Sequence, residues 1–138
     1  CNAPLLEQAV TNLIENAIKY SEENSTININ MDQHETDQTV GITVKDSGIG
    51  IEKHHLNHIF ERFYRVDKAR SRSQGGTGLG LSIVKHIALA HGGTVSVESE
   101  LGEGSSFKIV LPNRPSDLKG ILVTEVETGD LKQIKEVV

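Results

Sequence analysis

Two asparagines and a lysine raise the first chemical question. Within LLEQAVTNLIENAIKY (5–20), Gln8, Asn12, Asn16 and Lys19 recur at spacings of four, four and three. On a helix they stack as one polar stripe. Asn is a mediocre helix former, because its amide competes for backbone hydrogen bonds, and solvated stripes more often carry Glu, Lys or Gln. Amide oxygens one turn apart suit a hard cation such as Mg²⁺, and an ammonium a turn further on suits phosphate. The same stripe also reads as an ordinary solvated helix face. A second candidate is Asp46 in DSGIGI (46–51), a carboxylate at a strand end before two glycines, where backbone passes close to something. An ionised carboxylate only accepts hydrogen bonds. Facing a purine, it takes one from the exocyclic amine of adenine and repels the oxygen guanine presents there; the competing reading is a plain Asx turn. The third candidate is GGTGLGLS (75–82), which leads into an apolar helix. Glycine-rich backbone at a helix start turns free amides and the positive dipole end toward an anion. Gly76, Gly78 and Gly80 give G-x-G-x-G, which is neither the dinucleotide fingerprint nor, without a following Gly-Lys-Ser/Thr, the P-loop.

The elements that must carry these groups can be read from periodicity. A chain of 138 residues has room for one domain with a core, and 36% hydrophobic with 24% charged residues describes an ordinary globular chain. No apolar run approaches the length of a membrane span. Cys1 is the only cysteine, which excludes a disulfide framework and a cysteine metal site. The formal charge of −5 argues against general nucleic-acid binding. Between Glu61 and Gln74, however, five basic residues (Arg62, Arg65, Lys68, Arg70, Arg72) face two acidic ones (Glu61, Asp67), so a small polyanion suits this loop better than a long one.

Leu6, Val10, Leu13, Ile14, Ala17 and Ile18 make the apolar side of the first helix. Residues 26–31 (TININM), 39–45 (TVGITVK), 94–98 (TVSVE) and 106–111 (SFKIVL) alternate as half-buried strands. A second helix, with Leu79, Ile83, Ile87 and Ala90 on one stripe, ends at Gly92-Gly93. Residues 52–74 have no clear period beyond short helical pieces near 52–58 and 59–63, and their length points to a lid or binding loop. His54 and His58 lie one turn apart if helical, but a third metal ligand is missing, and surface histidines are the default reading. After Pro112 and Pro115, a strand over 121–126 and a short helix over 130–138 are expected, with no chemistry in them.

Four separated blocks together resemble the catalytic, ATP-binding domain of sensor histidine kinases, within the Bergerat-type ATPase superfamily shared with gyrase, MutL and the heat-shock chaperones. NLIENAIKYS (12–21) is similar to the family's N box, DSGIGI (46–51) to its G1 box, IFERFYRVD (59–67) to its F box and GGTGLGLSIVK (75–85) to its G2 box; GEGSSFKIVLP (102–112) also has the family form. The resemblance covers residues 2–112 and implies an α+β fold: a two-layer α/β sandwich, its mixed, mostly antiparallel sheet packed on helices, with a mobile ATP lid. It divides the chain into a catalytic and ATP-binding domain over 1–114, truncated at its N-terminal side, and an extension over 115–138 of no assigned role.

Carried onto this chain, the resemblance implies ATP and Mg²⁺ as cofactors and assigns the catalytic positions to Asn12 and Arg65. Asn16 would coordinate Mg²⁺ through its amide oxygen, with Asn12 beside metal and phosphates. Lys19 would contact phosphate and Tyr20 would border the nucleotide. Asp46 would recognise the adenine amine in a pocket shaped by Gly48, Gly50 and Ile51. Arg65 would swing from the lid toward the γ-phosphate, with Phe60 and Phe63 anchoring that lid. Gly76, Thr77, Gly78, Leu79, Gly80 and Leu81 would wrap the phosphates, and Ser105 would help at the adenine end.

The superfamily's hydrolases carry a catalytic glutamate one turn before the metal-binding Asn. Here that position is Asn12, and an amide cannot act as a general base, so the γ-phosphoryl would be kept for a histidine rather than given to water. Glu15 points about 100° away from Asn16 on a helix and is a weaker substitute. The expected partners are the dimerisation and phosphoacceptor domain of the same kinase and a cognate response regulator, with no nucleic acid, no membrane contact by this segment and a cytoplasmic location. His34-Glu35 resembles the start of a phosphoacceptor box, but no proline turn follows, so His34 reads as a surface residue. A hydrolytic Bergerat-type ATPase and a nucleotide-binding module without catalysis are the rival readings; an anti-sigma-type serine kinase shares three boxes but fits the F box badly.

Overall fold

The computed structural model describes residues 2–67, 75–113 and 126–127. A helix α1 (Ala3–Tyr20) is followed by the hairpin of β1 (Thr26–His34) and β2 (Thr39–Asp46), then by an irregular stretch with one 3-10 turn (Lys53–His55). Helix α2 (Gly80–Ala90) leads into β3 (Thr94–Glu100) and β4 (Gly104–Pro112), and a two-residue β5 (Val126–Glu127) completes the order. The strands form one sheet in the order β3-β4-β2-β1-β5, and every described pairing is antiparallel. Both helices pack on one face of that sheet, which gives an α+β two-layer sandwich.

Local chemistry accounts for these elements. Asn2 caps α1 by accepting from the Leu5 amide at 3.3 Å, and Pro4 sits in the first turn, where a missing N–H costs nothing. Leu6, Ala9, Leu13 and Ala17 bury one side of α1, with Val10, Ile14 and Ile18 partly buried beside them. The alternation of β2 and β4 turns Val40, Ile42 and Val44 and then Phe107, Ile109 and Leu111 into the same layer. Val84, Ile87 and Ala88 of α2 close the core from above. Helix α2 ends where the Gly93 amide bonds back to the Ala88 carbonyl at 2.8 Å.

The stretch between β2 and α2 departs from the expected short helices. The region expected to hold short helices forms only the 3-10 turn and consecutive turns over 56–63. The three histidines there are engaged locally: His55 with the Tyr64 hydroxyl at 2.6 Å, His58 with Glu61 at 2.7 Å and His54 with Glu52 at 3.3 Å. Among the described residues no group of His, Cys, Asp or Glu is arranged to hold a metal. Phe60 packs edge-on against Phe107 at 6.3 Å between ring centroids, whereas Phe63 is 70% exposed. The last part of the expected lid (68–74), most of the expected strand over 121–126 and the expected helix over 130–138 lie outside the described residues.

Candidate nucleotide site

The polar stripe of α1 and the glycine-rich segment meet. The Asn12 side-chain amide donates to the Gly80 carbonyl at 3.4 Å, at the start of α2. Two turns along α1, the Lys19 ammonium lies where a β-carbon on Gly76 would come within 2.7 Å of Nζ, and the Arg65 guanidinium would be 3.1 Å from the same point. Asn16 lies on α1 between Asn12 and Lys19, half-buried like both of them. Two cations thus converge on exposed glycine backbone at the head of a helix, an arrangement suited to an anion.

Gly78 holds the loop in shape. Its φ is +70°, a left-handed conformation that costs an L side chain about 1 kcal/mol or more, and a β-carbon there would sit 3.0 Å from the Phe63 Cα. The Gly78 carbonyl accepts from the Phe63 amide at 2.9 Å, so the F-box segment is fastened to the glycine loop through backbone. Phe63 is itself in the left-handed region at φ 64°, a conformation rare for a bulky residue. Within the loop, the Thr77 hydroxyl accepts from the Leu79 amide at 3.3 Å; Leu79 and Leu81 are half-buried.

Asp46 forms the closed end. The last residue of β2, it is only 4% exposed, and its Oδ1 accepts from the Gly48 amide at 2.8 Å. Burial pushes its pKa above the ordinary aspartate value, while hydrogen bonds from the Gly48 and Ser105 amides pull the other way. Gly48 permits the turn, because a β-carbon there would collide with the Tyr20 carbonyl at the end of α1. That carbonyl also takes the Ile49 amide at 3.3 Å, which ties the G1 loop to α1. Tyr20 lies at the rim, its ring 5.4 Å from the Lys19 ammonium. The Ile51 amide donates to the Ser99 hydroxyl at 2.8 Å, and Ser99 in turn contacts Ser105. Gly50, at φ 71°, turns against the Glu100 carbonyl. Sequence reasoning passed over Ser99; only the register of β3 against β4 brings it to this pocket.

The residues present suit an adenine nucleotide. Two cations beside bare backbone match phosphates, and a buried acceptor matches an exocyclic amine. For Mg²⁺ the described residues offer the amide oxygens of Asn12 and Asn16 and no carboxylate cluster, which fits a metal that brings phosphate and water as its remaining ligands.

Comparison with known proteins defines the class. Residues 1–115 match the family described as histidine kinase-, DNA gyrase B-, and HSP90-like ATPase, and the chain belongs to that family. Within it, the chain is 50% identical over 111 residues to the sensor histidine kinase RppB of Synechocystis sp., covering 80% of this chain and 24% of that protein. It is 46% identical over 107 residues to the sensor histidine kinase WalK of Bacillus subtilis, covering 78% and 18%. The chain therefore spans a quarter or less of the length of these curated relatives. Among solved structures it is similar to the mycobacterial sensor histidine kinase MprB, with a TM-score of 0.72 and 31% identity over 83% of this chain and 74% of that one. It is likewise similar to the catalytic domain of histidine kinase ThkA, with a TM-score of 0.68 and 30% identity over 84% and 71%. Its fold is that of histidine kinase catalytic domains.

Proposed function

We propose that this chain is the ATP-binding catalytic domain of a sensor histidine kinase, in which Mg²⁺ and ATP bind so that the γ-phosphoryl passes to a histidine on a separate dimerisation domain and onward to a response regulator. The supporting observation is the meeting of the α1 stripe with the glycine-rich loop at Asn12–Gly80, with Lys19 and Arg65 over Gly76 and Asp46 at the closed end. Bound ATP supplies the phosphoryl group. The chain's own residues position and neutralise, which is most of what phosphoryl transfer asks of a protein. In this reading Asp46 accepts from the adenine amine, and Gly48, Gly50 and Ile51 shape the pocket with Tyr20 at its rim. Asn16 and Asn12 hold the metal side of the phosphates. Lys19, Arg65 and the backbone from Gly76 through Thr77, Gly78, Leu79 and Gly80 to Leu81 face their charge.

Asn12 also weighs against the hydrolytic rival. The side chain facing the glycine loop one turn before Asn16 is an amide, while the carboxylate of Glu15 belongs to an exposed position. Residues 1–114 form the catalytic domain in this reading. No described helix is long and apolar enough to cross a membrane, and a cytoplasmic catalytic segment of a larger sensor is part of the same proposal.

Calorimetric titration with ADP and ATP, with and without Mg²⁺, followed by mixing with the dimerisation domain, tests the reading. Saturable binding strengthened by Mg²⁺ and acid-labile phosphohistidine on the added domain are expected. Steady phosphate release without any acceptor would point to the hydrolase, and binding without phosphohistidine to a module lacking catalysis.

A further inference from the structure

Asp46, Ser105 and Ser99 stand side by side across three strands, since Ser105 is register partner both to Asp46 of β2 and to Ser99 of β3. Directly paired residues of an antiparallel sheet share a face, and this row continues the helix-covered face that carries Val44 and Phe107. Ser105 is buried and Ser99 half-buried.

Three hydrogen bonds meet at the Ser99 hydroxyl. It accepts from the Ile51 amide at 2.8 Å, donates to the Gly104 carbonyl at 2.8 Å and touches the Ser105 hydroxyl at 2.8 Å. A serine hydroxyl has one proton and two acceptor lone pairs. Its proton goes to Gly104, because a carbonyl cannot donate. One lone pair takes the Ile51 amide, so the arrangement that satisfies all three contacts has Ser105 as the donor to Ser99. The Ser105 proton is thereby drawn away from Asp46, and its oxygen is left able only to accept.

We infer that Ser99 is a positioning residue for base selectivity: by holding the Ser105 proton it keeps the Asp46 end of the pocket a pure acceptor surface, which welcomes a 6-amino purine and rejects a 6-oxo purine. This goes beyond Asp46 recognising adenine and rests on that reading. Without Ser99, the Ser105 hydroxyl is free to turn and donate to a 6-oxo group, and the second barrier against such bases is gone. The Ile51 amide loses its acceptor as well, and a variant lacking both hydroxyls shares that loss, so the double variant separates the loop's contribution from that of the Ser105 proton.

The test is calorimetric titration of the protein with ADP and with inosine diphosphate at fixed Mg²⁺, for the wild type, Ser99→Ala, Ser99→Thr and Ser99→Ala combined with Ser105→Ala. The ADP preference should fall about tenfold in Ser99→Ala, the worth of one misdirected hydrogen bond. It should be kept in Ser99→Thr, which retains a hydroxyl, and restored in the double variant, which has no proton left to donate. Should Ser99→Ala fail to melt cooperatively, Ser99→Cys replaces it with a side chain of similar size and weak hydrogen bonding. An unchanged preference in the single variant, or an equal loss in the double one, overturns the role of Ser99 and leaves Asp46 standing. A wild type that binds both nucleotides equally overturns the adenine reading and this inference together.

Discussion

At one end of the site Asp46, Ser105 and Ser99 stand in a row across three paired strands, buried or half-buried, with sheet register setting Ser105 between the other two. At the other end Lys19 and Arg65 lean over Gly76 from a helix terminus and an irregular loop, beside backbone that is itself exposed. The contrast separates two tasks. A buried acceptor row pays for misfit in full, because an unpaired polar group out of water keeps its desolvation cost, so that end selects. Long cationic side chains near solvent are screened and adaptable, so that end attracts without discriminating among phosphates.

Substitutions can break this division, and the largest effect belongs to the closed end. Asp46→Asn replaces a charged acceptor with an amide and should weaken ADP on the order of ten- to a hundredfold, the equivalent of about 1.5–3 kcal/mol, read by calorimetry. Its effect on stability runs the other way. Because burial raises the folded-state pKa of Asp46, the ionised carboxylate costs the fold stability at neutral pH, and that cost is relieved as pH falls through the raised pKa. Thermal melts of Asp46→Asn should therefore show no loss at pH 7, and any gain over the wild type should vanish in acid. For the same reason wild-type ADP affinity should decline on acidification at a pH above the ordinary aspartate range, while Asp46→Asn should lack that decline.

Asn16→Ala comes next: at saturating Mg²⁺ affinity should fall about tenfold, to the metal-free level, with the melt unchanged, since the side chain lies off the buried face of α1. Gly78→Ala forces a β-carbon into a left-handed turn against Phe63 and should cost about 1 kcal/mol, a loss in affinity of about fivefold for ADP and inosine diphosphate alike. Smallest is Lys19→Ala, worth about 0.5–1 kcal/mol at low salt and less at high salt, where the wild type and the variant should converge. A change in base preference in either of the last two would blur the division of labour between the ends.

The architecture was legible because its signals are periodic. Two helical stripes and four alternating strands specified the helix-covered face, and only details moved, such as Ala9 joining the core and β1 running on to His34. The stretch after Asp46 was less legible because its order comes from contacts distant in sequence. The resemblance makes Phe63 a lid anchor; its side chain is exposed here, and its backbone bonds to Gly78. Ser99 carries no local signal at all: it is one polar residue on a strand, and only its pairing with Ser105 gives it company. The candidate positions on α1 and in the glycine-rich loop stood out for a different reason, since asparagines on a helix face and repeated glycines violate local preference.

In the proposed reading a single adenine nucleotide spans the distance from Asp46 to Gly76. A ¹H–¹⁵N NMR titration with ADP and Mg²⁺ follows both ends at once. The amides of Gly48 and Ile51 and those of Gly76, Gly78 and Gly80 should shift along one saturation curve with a common dissociation constant. Shifts confined to one end, or two ends saturating with different constants, would contradict it.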